Sequence, residues 1–177
     1  MKCYEQKPEM IFIAGAVDEK DVPEVEVRFS TVNRKNLGKV ANSKDIAVFI
    51  RGLYPTDTIE LQEQFFILFL NRANQIIGYY RVSIGGVAGT IVDPKIILAT
   101  ALKSLSSSII LAHNHPSGNL LPSDQDRNMT KKIKEAALLM EISVLDHLII
   151  TRDGYFSFAD EGLLGANTNH SHKNNNT

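Results

Sequence analysis

The stretch SIILAHNHPSGNLLPSDQD, residues 108–126, contains the features around which the rest of the chain can be arranged. It begins with a short, continuous apolar run at 108–112, as in a strand that is buried on both faces. His113 and His115 follow that run, and a helix-like pattern begins near Ser123. Because residues i and i+2 of an extended chain lie on one face, about 6.5–7 Å apart, one metal ion can bridge the two imidazoles.

Asp126 is the candidate third ligand. It lies in the first turn of the predicted helix, and the chain folds back through Pro116 and Gly118, so its carboxylate can reach the same point. Two imidazoles and one carboxylate leave a fourth zinc position for water, which distinguishes catalytic from structural zinc. Ser123 and Asp126 also resemble a capping box, worth about 1 kcal/mol to a helix. The two interpretations are compatible, because an acid held at a helix start can still bind a metal.

The spacing His113-x-His115, seven residues, Ser123-x-x-Asp126 resembles the pattern of the JAMM (MPN-plus, or JAB) metallohydrolases. The string AHNHPSGNLLPSDQD, followed by VLDHLII, is similar to the RadC branch of that family. The resemblance extends over about residues 61–162. It implies a zinc-dependent isopeptidase-type site on a deaminase-like α/β fold, a three-layer α/β/α sandwich with a mixed sheet.

The resemblance also implies a glutamate just before the strand predicted at 65–70. Its register falls on Glu63, and Glu60 is the competing candidate. Spacing alone favours an ordinary surface glutamate at this position. In the implied mechanism the glutamate accepts a proton from zinc-activated water and passes it to the leaving amine, while the Ser123 hydroxyl helps to stabilise the oxyanion.

Outside the ligand segment, the sequence pattern predicts that the chain divides into three regions. An accessory region at 1–58 contains a strand at 24–29 and a helix capped by Ser43. The metal-dependent domain occupies 59–163, and a polar tail at 164–177 is expected to be disordered. The accessory region lacks the helix-hairpin-helix pattern expected ahead of the metal domain in RadC-like proteins, which weakens an inference of DNA repair.

Within the metal-dependent domain, further strands are predicted at 75–82 and 143–151, and Asp93 with Pro94 starts a helix. The buried stripes of the two helices are predicted to be Leu98, Ala101, Leu102 and Leu105 in the first, and Met129, Ile133, Ala136, Ala137 and Met140 in the second.

Composition restricts the class of protein. The 177 residues are 44% hydrophobic and 22% charged, as in one globular domain with a short appendage. A formal net charge of −1 lacks the basic excess that nucleic-acid-binding domains usually carry. The single cysteine, Cys3, excludes an intramolecular disulfide and a cysteine-based zinc cluster. With no bilayer-length apolar run and no signal-peptide core at the start, we expect a cytoplasmic protein without a membrane partner.

We therefore expect a zinc metallohydrolase that cleaves amide or isopeptide bonds of a peptide or protein substrate. The alternative is a RadC-type DNA-repair or mobile-element accessory protein that acts on or near nucleic acid, and the sequence does not indicate the oligomeric state. His147, in the VLDHLII string, is predicted to be a structural histidine in or beside the sheet, with a role in supporting a ligand left open. The second His-x-His, at His170 and His172, has no strand before it and is predicted to be non-functional.

Overall fold

The computed structural model describes residues 40–55, 58–85 and 92–165. Within these ranges no helix has the length and apolarity needed to cross a bilayer. The strand predicted at 24–29 and the tail from residue 166 onward lie outside the described residues. The elements occur in the order α1 (Ser43–Arg51), β1 (Gln64–Leu70), β2 (Ile76–Ile84), α2 (Pro94–Lys103), β3 (Ser108–Asn114), α3 (Asp124–Leu139), β4 (Ser143–Ile150) and β5 (Tyr155–Ser157).

The strands form one mixed sheet in the order β2-β1-β3-β4-β5. β1 pairs antiparallel with both β2 and β3, and β4 pairs antiparallel with β5. β3 and β4 are parallel, and α3 supplies the crossover that a parallel pair requires. Every residue of β1 and β3 is buried, which explains why these two strands have continuous apolar sequences instead of alternating ones.

Helices cover both faces of this sheet. On one face, α1 packs Ile50 into a core that includes Phe66 of β1. On the other face, Ile97 of α2 and Ile133 of α3 pack into a core that includes Phe65. Successive β1 side chains therefore serve opposite cores, as the pleat of a strand requires. The result is the predicted three-layer α/β/α sandwich, and α1, from the region predicted to be accessory, forms one outer layer.

The helix starts agree with the sequence patterns at two of three positions. Asp93 caps α2 ahead of Pro94, and Ser123 caps α3, both as predicted. The cap predicted for α1 was wrong by one residue, because the Asn42 side chain accepts from the backbone N–H of Asp45 and Ser43 is already helical.

Two predicted buried stripes were partly wrong. α2 buries Ile97 and Ala101, whereas Leu102 and Leu105 are 47% and 76% exposed. The helical period does not extend to Leu105, because α2 ends at Lys103. Similarly, Met140 is exposed because it follows the last residue of α3, where the chain turns toward β4.

Candidate metal centre

The predicted ligands meet where β3 and β4 end and α3 begins. His113 is the second-to-last residue of β3, and His115 directly follows the strand. Ser123 and Asp126 form a reciprocal capping box: the Ser123 side chain accepts from the Asp126 N–H, and the Asp126 side chain accepts from the Ser123 N–H. The local preference for a capped helix start thus holds the Asp126 carboxylate beside the strand end.

The ligand atoms of His113, His115 and Asp126 converge closely. The two Nε2 atoms are 3.0 Å apart. Asp126 Oδ1 lies 3.3 Å from His113 Nε2, and Asp126 Oδ2 lies 3.6 Å from His115 Nε2. His113 and Asp126 are buried and His115 is half-buried, so the cluster opens to solvent on the His115 side. These three residues can hold a metal ion.

A chain of hydrogen bonds determines which nitrogen of His113 faces the cluster. The Thr130 hydroxyl donates to the backbone carbonyl of Asp126 at 2.6 Å, which uses its only proton. His147 Nδ1, 2.5 Å from that hydroxyl, must therefore donate to it. In a neutral His147 ring, Nε2 then accepts from His113 Nδ1 at 2.8 Å. His113 carries its proton on Nδ1, and its Nε2 is free to bind a metal.

The His115 ring is oriented in the same sense. Its Nδ1 lies 2.7 Å from the backbone oxygen of Asn119, which can only accept, so Nδ1 donates. The Nε2 atom of His115 therefore also faces the cluster. Two nitrogen lone pairs and a carboxylate pointing at one another repel unless a cation lies among them, and so this arrangement fits a bound metal ion.

The charges in the cluster shift the pKa values of its members. Burial alone would raise the pKa of Asp126, but its side-chain contacts with His113, His115 and Ser123 hold it well below its usual value. The hydrogen bond with Asp126 raises the pKa of His115. Burial lowers the pKa of His147 well below its usual value, so the ring is neutral, as the hydrogen-bond chain requires.

Glu63 and Glu60 lie in different surroundings. Glu63 immediately precedes β1 and is half-buried. Burial raises its pKa, and the charges of His113 and His115 oppose that rise, so its carboxylate lies within electrostatic range of the cluster. Glu60 is exposed and pairs with Arg152 at 3.0 Å.

Ser123, the predicted oxyanion donor, lies against a ligand. Its hydroxyl donates to Asp126 Oδ2 at 2.6 Å. In this structure the hydroxyl therefore orients the carboxylate, and its action on a substrate stays a prediction.

His147 and Thr130 contribute more than their sequence context suggested. His147 is predicted to be a structural histidine, and it also contacts His113, a candidate ligand, through the hydrogen bond described above. Thr130 was not singled out in the sequence. Its signal is its position four residues after Asp126, which places both side chains on one face of α3.

Comparison with known proteins agrees with this geometry. The family model described as the RadC-like JAB domain matches residues 40–163. A UPF0758 protein of Flavobacterium johnsoniae is 44% identical over 128 residues, which cover 72% of this chain and 54% of that protein. A UPF0758 protein of Chlorobaculum tepidum is 35% identical over 159 residues, covering 90% of this chain and 70% of that protein.

A UPF0758 protein of Porphyromonas gingivalis is 46% identical over 121 residues, covering 68% of this chain and 53% of that protein. The chain thus spans about half the length of the relatives from Flavobacterium johnsoniae and Porphyromonas gingivalis. The family match extends over most of the chain and includes β1, β3 and α3, the elements that form the cluster. The chain therefore belongs to the RadC-like JAB domain family.

Proposed function

We propose that this chain is a zinc-dependent hydrolase of amide or isopeptide bonds. His113, His115 and Asp126 bind the metal, and Glu63 is the general base. The observation that carries the proposal is the convergence of three ligand atoms at the end of β3, with both histidines oriented by hydrogen bonds on their far nitrogens. Such an arrangement is typical of histidine ligands of a metal ion.

The spacing of the ligand atoms supports zinc as the metal. A tetrahedral zinc ion with bonds of about 2.0–2.1 Å holds its ligand atoms about 3.3 Å apart. The two Nε2 atoms, 3.0 Å apart, are close to that spacing, and the two oxygens of Asp126 lie 3.3 and 3.6 Å from one histidine each. When bound, zinc supplies Lewis acidity that activates water near neutral pH and polarises a carbonyl group.

Glu63 and Ser123 supply the remaining chemistry from the protein. The raised pKa of Glu63 suits a carboxylate that accepts a proton near neutral pH and returns it to the leaving amine. The Ser123 hydroxyl donates its one proton to Asp126 Oδ2, so it would have to turn away from that oxygen to donate to the carbonyl oxygen of a substrate.

A cleft beside His115 offers a path for a peptide substrate. It has a volume of about 290 Å³ and is lined by His115, Pro116, Gly118 and Leu120 and by residues 151–154. The Glu60–Arg152 ion pair also lines it. An open cleft that leads to His115 can admit an extended polypeptide, and a peptide or protein is the substrate class that we propose.

Metal analysis combined with a proteomic cleavage screen tests the proposal. We expect the wild-type protein to bind one zinc ion per chain and to generate new peptide termini, and Asp126→Ala to lose the metal. Glu63→Gln should retain zinc and lose turnover by about 10²–10⁴-fold. Glu60→Gln makes the same change at the competing glutamate and should keep kcat near wild type, although a change in KM is compatible with its place in the cleft. Absence of stoichiometric zinc, or wild-type turnover by Glu63→Gln, would contradict the assignment.

The nucleic-acid alternative receives less support from the contacts of α3. Lys131 lies 4.0 Å from Glu135, and Lys134 donates to the carbonyl oxygens of Leu164 and Gly165. Glu135 partly offsets the charge of Lys131, and the Lys134 ammonium group is held against the two carbonyl oxygens, so both are less available to phosphate groups. A salt-dependent mobility shift with single-stranded or branched DNA, lost on charge reversal of the α3 lysines, would favour the alternative.

A further inference from the structure

We propose that Asn114 is a positioning residue whose side-chain amide holds the segment carrying Glu63 in place relative to the metal ligands. The inference rests on the proposed function, because it explains how the general base is placed. Asn114 lies between His113 and His115 in the sequence, and it is fully buried.

The strand pleat separates Asn114 from the two histidines. In β3, Ile109 and Leu111 belong to the core on the α2 and α3 side, whereas Ile110 and Ala112 belong to the core on the α1 side. By this alternation His113 faces the metal cluster, and Asn114 faces the opposite side of the sheet. A side chain that is directed away from the cluster therefore belongs to the strand that carries His113 and leads directly into His115.

The amide of Asn114 makes three hydrogen bonds to the segment before β1. Its Oδ1 accepts from the backbone N–H of Gln64 at 2.7 Å. Its Nδ2 donates to the carbonyl oxygens of Ile59 at 2.7 Å and Gln62 at 3.0 Å. Gln62 and Gln64 are the immediate neighbours of Glu63, so one amide group binds the backbone on both sides of the proposed base.

The strand ladder explains why a side chain is needed here. β1 and β3 pair from Leu70↔Ser108 to Phe65↔His113, and the Asn114 side chain makes the next link to Gln64. On the other side, the Glu63 carbonyl accepts from the Gly85 N–H at 2.7 Å. Asparagine suits the position because a short amide accepts and donates at once, whereas an ionised aspartate only accepts.

Misplacement of the base is expected to reduce catalysis without removing the metal. A shift of about 1 Å in a reacting group can cost about 10²-fold in rate. We therefore expect Asn114→Ser, which is neutral and too short to reach both carbonyl oxygens, to lose about 10²-fold in kcat with zinc affinity and KM changed by less than about threefold. Asn128→Ser, on the exposed face of α3, is the matched control and should behave as wild type.

A double-mutant cycle separates positioning from a general structural effect. If Asn114 acts through Glu63, then Asn114→Ser should cost little further activity in a Glu63→Gln background. Equal losses in the wild-type and Glu63→Gln backgrounds would overturn the proposal. Asn114→Asp, which keeps the size and the acceptor oxygen, is the second variant, and it should show the same non-additivity even if Asn114→Ser folds poorly.

A measurement without substrate distinguishes this inference from the proposed function. In protein loaded with cobalt(II) and labelled with carbon-13 glutamate, paramagnetic relaxation of the Glu63 carboxyl carbon reports its distance from the metal. We expect Asn114→Ser to change this relaxation and Asn128→Ser to leave it unchanged. If the relaxation changes but no variant hydrolyses amides, the hydrolase proposal fails and the positioning role stands. If relaxation and kcat both stay at wild-type values in Asn114→Ser, the positioning role is refuted.

Discussion

Replacement of His147 with phenylalanine is expected to weaken metal binding without any change to a ligand. His147 is fully buried, accepts from His113 Nδ1 at 2.8 Å and donates to Thr130 Oγ1 at 2.5 Å. Phenylalanine retains an aromatic ring that can stack on Phe158, as the imidazole does at a centroid distance of 4.7 Å. It cannot accept the proton of His113, so the variant removes the hydrogen bond and largely preserves the packing.

The expected loss of metal affinity in His147→Phe depends on which nitrogen of His113 carries the ring proton. In the metal-free variant it can move to Nε2, where Asp126 Oδ1 at 3.3 Å can accept it. A metal ion must then displace that proton and return it to Nδ1, which now has no acceptor. A buried donor without a partner costs about 1–3 kcal/mol, and about 1.4 kcal/mol corresponds to a factor of ten in affinity. We therefore expect a loss of about 10- to 100-fold, the range found when partners of metal-binding histidines are removed.

Competition with a chromophoric zinc chelator measures this loss. His147→Gln is the matched variant, because its amide can again accept from His113, and it should recover part of the affinity. Circular dichroism establishes that both variants are folded. If folded His147→Phe binds zinc as tightly as wild type, the hydrogen-bond chain does not control the orientation of His113.

Three further measurements test the site. Ser123→Ala should lower the free energy of unfolding by about 1 kcal/mol in urea titrations, because it removes the helix cap, and it should also weaken zinc binding, because Asp126 Oδ2 loses its 2.6 Å partner. The raised pKa of His115 means that a proton competes with the metal at and above the usual value of about 6.5. Apparent zinc affinity should therefore fall about tenfold per unit as the pH drops below that raised pKa, and a flat calorimetric profile would contradict a ligand role for His115. The double variant His170→Ala with His172→Ala should keep one zinc ion per chain, and a loss of stoichiometry would show that the tail binds metal.

Local sequence patterns correctly predicted two central strands and the start of one helix. The apolar run of β3 indicated a buried strand and that of β1 a run of strand length, and both strands are buried inside the sheet. Ser123 and Asp126 indicated a capping box, which the structure contains. These predictions were correct because a strand covered on both faces needs a continuous apolar run, and because a helix cap depends only on residues a few positions apart.

Predictions that depended on where an element ends or what it packs against were weaker. The predicted stripe of α2 was Leu98, Ala101, Leu102 and Leu105, but Ile97 and Ala101 are the buried residues, Leu98 is partly buried, and Leu102 and Leu105 are exposed. Periodicity alone cannot determine which side is buried, because a helix with apolar residues on more than one side can bury either stripe.

The sequence by itself predicted the candidate metal ligands and the family, because His113, His115 and Asp126 belong to one short segment with a specific spacing. Only the tertiary structure decided how those ligands are oriented and how Glu63 is held. His147 reaches His113 through the parallel pairing of β4 with β3, and Asn114 reaches the Glu63 segment through the pairing of β1 with β3. These hydrogen bonds join residues that are distant in the chain, and they exist only after the sheet has brought its strands into register.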